Sequence, residues 1–362
     1  MDLNRESMVY AAIPNPALDG IRGTAILIVF LSHTSLIGQS ILPFLNFGGT
    51  GHVGVYLFFS LSAYLVTISF IRDGRRMMPF WFRRACRILP LFYIVVTVTF
   101  IVGGSSPGIN LHISGGIDGY IKHILFIKGD GALWSIAPEM WFYISVPMLV
   151  WITSRFGRVS LIWFAVVAIG YYGWYFLYRE GFAITRPTFL IYHLDSQWVD
   201  VFLFGVIGAL CKQDVCMREW FDAHRKKIEP VTFGLFSVVM VATTLLVSNN
   251  FMGMRHVYVD IRWVSLLYGF VFAAFVLVND LWSSRLSALF RMRLLRYLGL
   301  ISFSFYLLHL PVMYAVAGVT WLKAFPPAQF VASFIGTVIV STITFRLIEE
   351  PMFRWSKRVL GQ

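Results

Sequence analysis

Residues 18–38 read LDGIRGTAILIVFLSHTSLIG, an apolar run long enough to cross a bilayer, interrupted by Arg22 near its start and His33 near its end. Eleven residues is almost three α-helical turns, so both side chains lie on one stripe. At about 1.5 Å per residue they stand roughly 16 Å apart, which sets the imidazole near mid-bilayer if the guanidinium is at the membrane surface. An ionisable group at that depth is costly, and its default place faces the protein interior or a water-filled cavity. There the neutral imidazole is favoured, the form that a general base needs. Ser32, Thr34 and Ser35 offer hydrogen bonds beside it, and Asp19 can cap the helix or pair with Arg22. A structural histidine bonded to a neighbouring helix is the competing reading.

The rest of the chain repeats the pattern. Of 362 residues, 58% are hydrophobic and 13% charged, with a mean hydropathy of +0.72, which excludes a soluble globular protein. Apolar blocks fall near 21–38, 51–71, 88–104, 133–153, 159–178, 198–211, 230–248, 263–280, 297–320 and 328–348, the sixth being short and led in by the polar run 193–197. The expected fold is therefore an all-α integral membrane protein of about ten transmembrane helices, one membrane-embedded domain over 1–362. The formal charge of +12 suggests nucleic acid, but the basic residues sit in alternate connections. All but seven of the 30 Lys and Arg fall on the side of the termini; the exceptions are Lys122, Lys128, Arg179, Arg186, Arg255, Arg262 and Lys323. That bias places both termini, with segments 1–20 and 349–362, in the cytoplasm and makes nucleic acid an unlooked-for partner.

Cys86, Cys211 and Cys216 fall at cytoplasmic helix ends without metal-ligand spacing, so neither a disulfide nor a metal is expected. Residues 1–20 lack the features of a signal peptide, and the first span is expected to be retained. The stretch 105–131 contains IDGYIKHILFIK, whose apolar spacing suggests an amphipathic helix on the outer surface.

Three further constellations carry chemistry. RDGRRMMPFWFRRACRILP holds Arg72, Arg75, Arg76, Arg83, Arg84 and Arg87 in one cytoplasmic connection with no lysine. Arginine at such a boundary orients helices, but Lys would do that equally, and only Arg offers planar bidentate bonding to phosphate. Arg83, Arg84 and Arg87 fit one turn and can converge on a phosphorylated ligand. LWSIAPEMWFY opens the fourth block on the outer side: Ser135 can cap, Glu139 suits the helix dipole, and Trp134 and Trp141 can stack on a sugar or form an aromatic belt. ISFSFYLLHLP puts His309 before Pro311, which frees the carbonyl of Leu307; a structural role leads there.

In this order the segments resemble the membrane acyltransferase family 3, bacterial proteins that O-acylate surface polysaccharides, nodulation factors and some antibiotics. The resemblance is carried by LDGIRG with Arg22 and His33, GVYLFFSLSAYLVT at 54–67, FRRACRILPLFY at 82–93, LWSIAPEMWFY at 133–143, VFLFGVIGAL at 201–210, ISFSFYLLHLP at 301–311 and EEP at 349–351. It implies acyl transfer, with acetyl the commonest group, from cytosolic acetyl-CoA to a hydroxyl of an extracytoplasmic carbohydrate or lipid-linked glycan, across the bacterial inner membrane. By position His33 is the base and Arg22 its motif partner, while Glu139 matches the acidic residue of the family's Trp-Ser motif and is expected to help hold the acceptor. Arg83, Arg84 and Arg87 contact CoA phosphates, while Trp134, Ser135 and Asp19 are expected near the acceptor. Tyr56 stands where the family commonly has an acidic residue and Ala63 where it often has glycine, and the fused extracytoplasmic hydrolase-like domain of some members is not expected here. A multi-pass transporter or lipid-linked sugar carrier is the rival class, and it predicts inverted repeats that the sequence does not show. A noncatalytic scaffold leaves the six arginines and Glu139 unexplained.

Overall fold

The computed structural model describes residues 15–41, 46–103, 113–179, 198–247, 264–282 and 285–361. Among them every regular element is helical. Fourteen α-helices follow one another: α1 Pro16–Leu36, α2 Gly51–Arg72, α3 Met77–Gly103, α4 Gly116–Ile124, α5 Ile136–Phe156, α6 Val159–Arg179, α7 Val199–Gln213, α8 Val215–Ala223, α9 Arg225–Val247, α10 Ser265–Leu281, α11 Arg293–Leu300, α12 Ser302–Ala317, α13 Pro326–Thr344 and α14 Glu350–Val359. Arg186, Arg255, Arg262 and the run 193–197 lie outside the described residues.

The side-chain pattern is that of a protein dissolved in lipid. On α13 the buried residues are Gln329, Ser333, Thr337 and Ser341, while Val331, Ile335, Ile339 and Ile343 face outward. Such a helix is inside-out for water and correct for hydrocarbon, where polar side chains serve as helix–helix contacts. At the centre, α2 packs against α1, α7 and α10, and Tyr56, Tyr64 and Leu57 are almost fully buried.

Among the described residues, five helical segments can cross a membrane by length and composition, and six if α11 and α12, bent by 82° at Ile301, count as one span. Of the other expected blocks, α1 is too polar and α7 too short to qualify. The physical reason is visible in α7: at 15 residues it is shorter than a bilayer is thick, and it is shielded by α2, α6 and α10. The arginine-rich connection is also shorter than expected. The chain turns at Gly74 and Arg75, both with positive φ, and α3 begins at Met77, so Arg83, Arg84 and Arg87 ride on a helix. A π-helical turn, Phe345–Glu349, joins α13 to α14 and buries Glu349, which accepts from the Ser304 hydroxyl.

In the connection after α3, α4 exposes Ile117 and Ile121 and buries His123. Asp130 closes this loop by accepting from the Ser114 backbone N–H and hydroxyl, both at 2.8 Å, with Lys128 3.1 Å away. Burial works to raise its pKa, but the Ser114 donors and Lys128 together outweigh it and hold the carboxyl below its usual value. The contribution is therefore complete above the ordinary carboxylate range and is lost as pH falls through the lowered pKa. Asp130→Asn is expected to speed amide exchange over residues 113–130 about tenfold at neutral pH, and not at a pH well below that range. Equal exchange in the two proteins at neutral pH would contradict this.

Candidate active site

α1 starts earlier than its apolar run. Asn15 caps it, its side-chain oxygen accepting from the Ala17 N–H at 3.0 Å, and Pro16 occupies the first turn, where no N–H is needed. Asp19 is thus a first-turn residue rather than the cap, and it lies 3.6 Å from Arg22. His33 falls in the last turn of α1, half-buried.

Five helices meet around a cavity of about 90 Å³. Arg22 comes from α1, Ser62 from α2, Arg84 and Arg87 from α3, Glu139 and Tyr143 from α5, and Tyr306 from α12. Ser135 and Ile136 at the start of α5, and Ser302 and Phe303 at the start of α12, bring two helix N-termini to its wall. Three guanidinium groups and two positive helix ends against one carboxylate make this an anion site. The Arg84 guanidinium lies over the rings of Tyr143, at 5.6 Å, and Phe80, at 5.9 Å, which fixes it without neutralising it. Glu139 is held by Ser62, whose hydroxyl donates at 2.7 Å, and by the Tyr143 hydroxyl. Hydropathy alone assigns Glu139 and the arginines to opposite membrane faces, whereas here they share one cavity.

The other sequence candidates are placed differently. Arg83 is buried and bonded to Asp73 at the α2–α3 turn, outside the cavity wall that Arg84 and Arg87 line. Ser135 occupies the position before α5 but does not cap it; its hydroxyl donates to the Tyr306 hydroxyl at 2.8 Å. Trp134 packs on His52, 5.4 Å between rings, and on Phe59, beside the cavity. Trp141 donates its indole N–H to the Phe126 carbonyl at 3.2 Å. Asp19 remains at the start of α1, its side chain 42% exposed and outside the wall.

Beyond the Ser135–Tyr306 pair stand two histidines that the sequence treats separately. His309 is fully buried in the middle of α12; its Nδ1 lies 2.6 Å from the Tyr306 carbonyl oxygen and its Nε2 2.8 Å from His33 Nδ1. The rings stack at 4.9 Å. Thus Pro311 does not define the partner of His309, which takes the carbonyl of Tyr306 rather than that of Leu307. Ser62, Tyr143, Tyr306 and His52 are not among the residues singled out from sequence. Tyr306, three residues before His309, and Tyr143, four residues after Glu139, carried a signal, each sharing a helix face with a residue singled out from sequence.

Relatives are similar over most of this chain. "Nodulation protein 10" of Rhizobium leguminosarum bv. viciae is 24% identical, the match covering 83% of this chain and 82% of that protein. "Peptidoglycan O-acetyltransferase OatA" of Listeria monocytogenes is 23% identical over 93% of this chain, and "O-acetyltransferase OatA" of Staphylococcus aureus 24% over 97%. The chain spans little more than half of these two longer proteins, 55% and 59% of their lengths. No solved structure matches. An acyltransferase-domain profile matches residues 15–346, nearly the whole of the chain and every helix lining the cavity, and the protein belongs to that acyltransferase family.

Proposed function

We propose that this protein is an O-acetyltransferase of the bacterial inner membrane, with ten spans and cytoplasmic termini, that moves an acetyl group from cytosolic acetyl-CoA to a hydroxyl of an extracytoplasmic carbohydrate or lipid-linked glycan. The observation that carries the reading is the cavity in which Arg22, Arg84 and Arg87 converge, one hydrogen-bonded step from the His309–His33 pair. The similarity to O-acetyltransferases of Listeria and Staphylococcus supports the choice of acetyl.

In this reading the three arginines and the α12 N-terminus hold the phosphates of CoA, whose thioester arm passes inward toward Ser135 and Tyr306. His33 takes the proton from the acceptor hydroxyl as its oxygen bonds to the acyl carbon. The carbon–sulfur bond breaks, and the leaving sulfur recovers the proton from His33. Glu139, fixed by Ser62 and Tyr143, orients the arginines by its charge.

The test is transfer of label from radiolabelled acetyl-CoA in membranes containing the protein, followed into extractable glycolipid and polysaccharide. Label in those fractions supports the proposal; no label together with no thermal stabilisation by acetyl-CoA overturns it in favour of a transporter. Arg84→Gln and Arg87→Gln are each expected to raise KM for acetyl-CoA about tenfold or more with a smaller change in kcat, the loss of one charge-assisted contact to phosphate.

A further inference from the structure

A carbonyl oxygen can only accept, so the 2.6 Å contact between His309 Nδ1 and the Tyr306 carbonyl puts a proton on that nitrogen. His309 is completely buried, and its ring nitrogens face a carbonyl and another imidazole, partners that would not compensate a charge. It is therefore neutral, and its Nε2 carries a lone pair. The proton bridging the 2.8 Å contact must then sit on His33 Nδ1. The remaining nitrogen of His33, Nε2, is bare. It faces the first turn of α2, where a Cβ at Gly51 would stand 3.9 Å from it and none exists.

We propose that His309 is a positioning residue that locks His33 in the Nδ1–H tautomer, so that the Nε2 lone pair is presented to the acceptor hydroxyl. The inference rests on the acyl-transfer reading for its consequence but not for the tautomer. The proton leaves the acceptor oxygen for His33 Nε2 while the oxygen bonds to the acyl carbon, and it passes to the departing sulfur as the carbon–sulfur bond breaks. Throughout, His33 Nδ1–H stays directed at His309 Nε2, which accepts a stronger hydrogen bond while His33 is cationic. The Tyr306 carbonyl backs this by polarising His309 in the same direction. A carboxylate performs this service in many hydrolases, but in lipid a buried carboxylate is costly, and a neutral imidazole anchored to a backbone carbonyl orients the base without adding a charge.

The decisive measurement is the ¹⁵N spectrum of full-length protein with labelled histidine, in which protonated and bare ring nitrogens are well separated, His33 being assigned by its loss in His33→Ala. Wild-type His33 is expected to show a protonated Nδ1 and a bare Nε2; a protonated Nε2 overturns the proposal, whatever the variants do. In His309→Leu the tautomer is expected to revert to Nε2–H, and kcat to fall about 100-fold with KM for acetyl-CoA within about twofold. His309→Gln, whose amide oxygen can accept from His33 Nδ1, is expected to recover to within about tenfold of wild type. Equal activity of the Leu and Gln variants would refute the positioning role. Absence of transfer in wild-type protein with the Nδ1–H signature present would instead overturn the acetyltransferase reading, and the catalytic part of this one with it.

Discussion

Replacing His33 by alanine is expected to lower acetyl transfer by about 10³-fold, within the range that loss of a positioned general base produces, while membrane insertion and acetyl-CoA binding persist. The separation follows from where the groups stand. His33 is half-buried in the last turn of α1, and its removal leaves one unpaired acceptor, His309 Nε2, a cost of about 1–3 kcal/mol that a protein with this much buried apolar surface can absorb. The arginine cavity is lined by other residues, so stabilisation by acetyl-CoA is expected to survive in the variant. Turnover and the ligand-induced rise in melting temperature are measured on the same preparation. Turnover near the wild-type level removes His33 from the mechanism; loss of both signals shows that the substitution damaged the fold and not the base alone.

The membrane class is legible in the sequence because hydrocarbon selects composition directly: a bilayer demands blocks near 20 apolar residues and an excess of Lys and Arg on one side, and folding in water demands neither. The arginines are conspicuous through their number. Which of them converge is not legible, because spacing gives the face of a helix and not its neighbours. Arg83 and Arg84 are adjacent in sequence, yet one turns to Asp73 and the other to Tyr143 and the cavity. Hydropathy misses the site for the same kind of reason: it sets Glu139 and the arginines on opposite faces, and they line one cavity. In three dimensions the turn Gly131–Ser135 brings Ser135, at the start of α5, to Tyr306, and Gly129 lets the chain fold closely on this turn, a Cβ there standing 2.5 Å from the Leu133 carbonyl oxygen. The pairing of His33 with His309 spans 276 residues, and no local pattern announces it.

Gly299→Ala is expected to be among the most destabilising single-methyl changes in the chain. The added Cβ would lie 1.9 Å from the Asp19 carbonyl oxygen and 3.2 Å from the Gly23 nitrogen, both backbone atoms of α1 that cannot swing aside. The same contact is tight from the other side: a Cβ at Gly23 would meet the Leu295 carbonyl oxygen at 2.0 Å. α1 and α11 therefore touch backbone to backbone, as helices in lipid do where small residues line the crossing. Relief requires moving α11, and α11 is joined through Ile301 to α12, whose first turn lines the same cavity as Arg22. Ordinary overpacking costs about 1–3 kcal/mol, and a clash confined to backbone belongs at or above the upper end. Gly170→Ala and Gly173→Ala on α6, where nothing stands within 4 Å of an added Cβ, are the controls, and no loss is expected from them. Thermal unfolding in detergent compares the three. A Gly299→Ala protein that melts with the α6 variants would mean that the α1–α11 crossing is not held at this distance, and the convergence of Arg22 with the α12 N-terminus would lose its structural support.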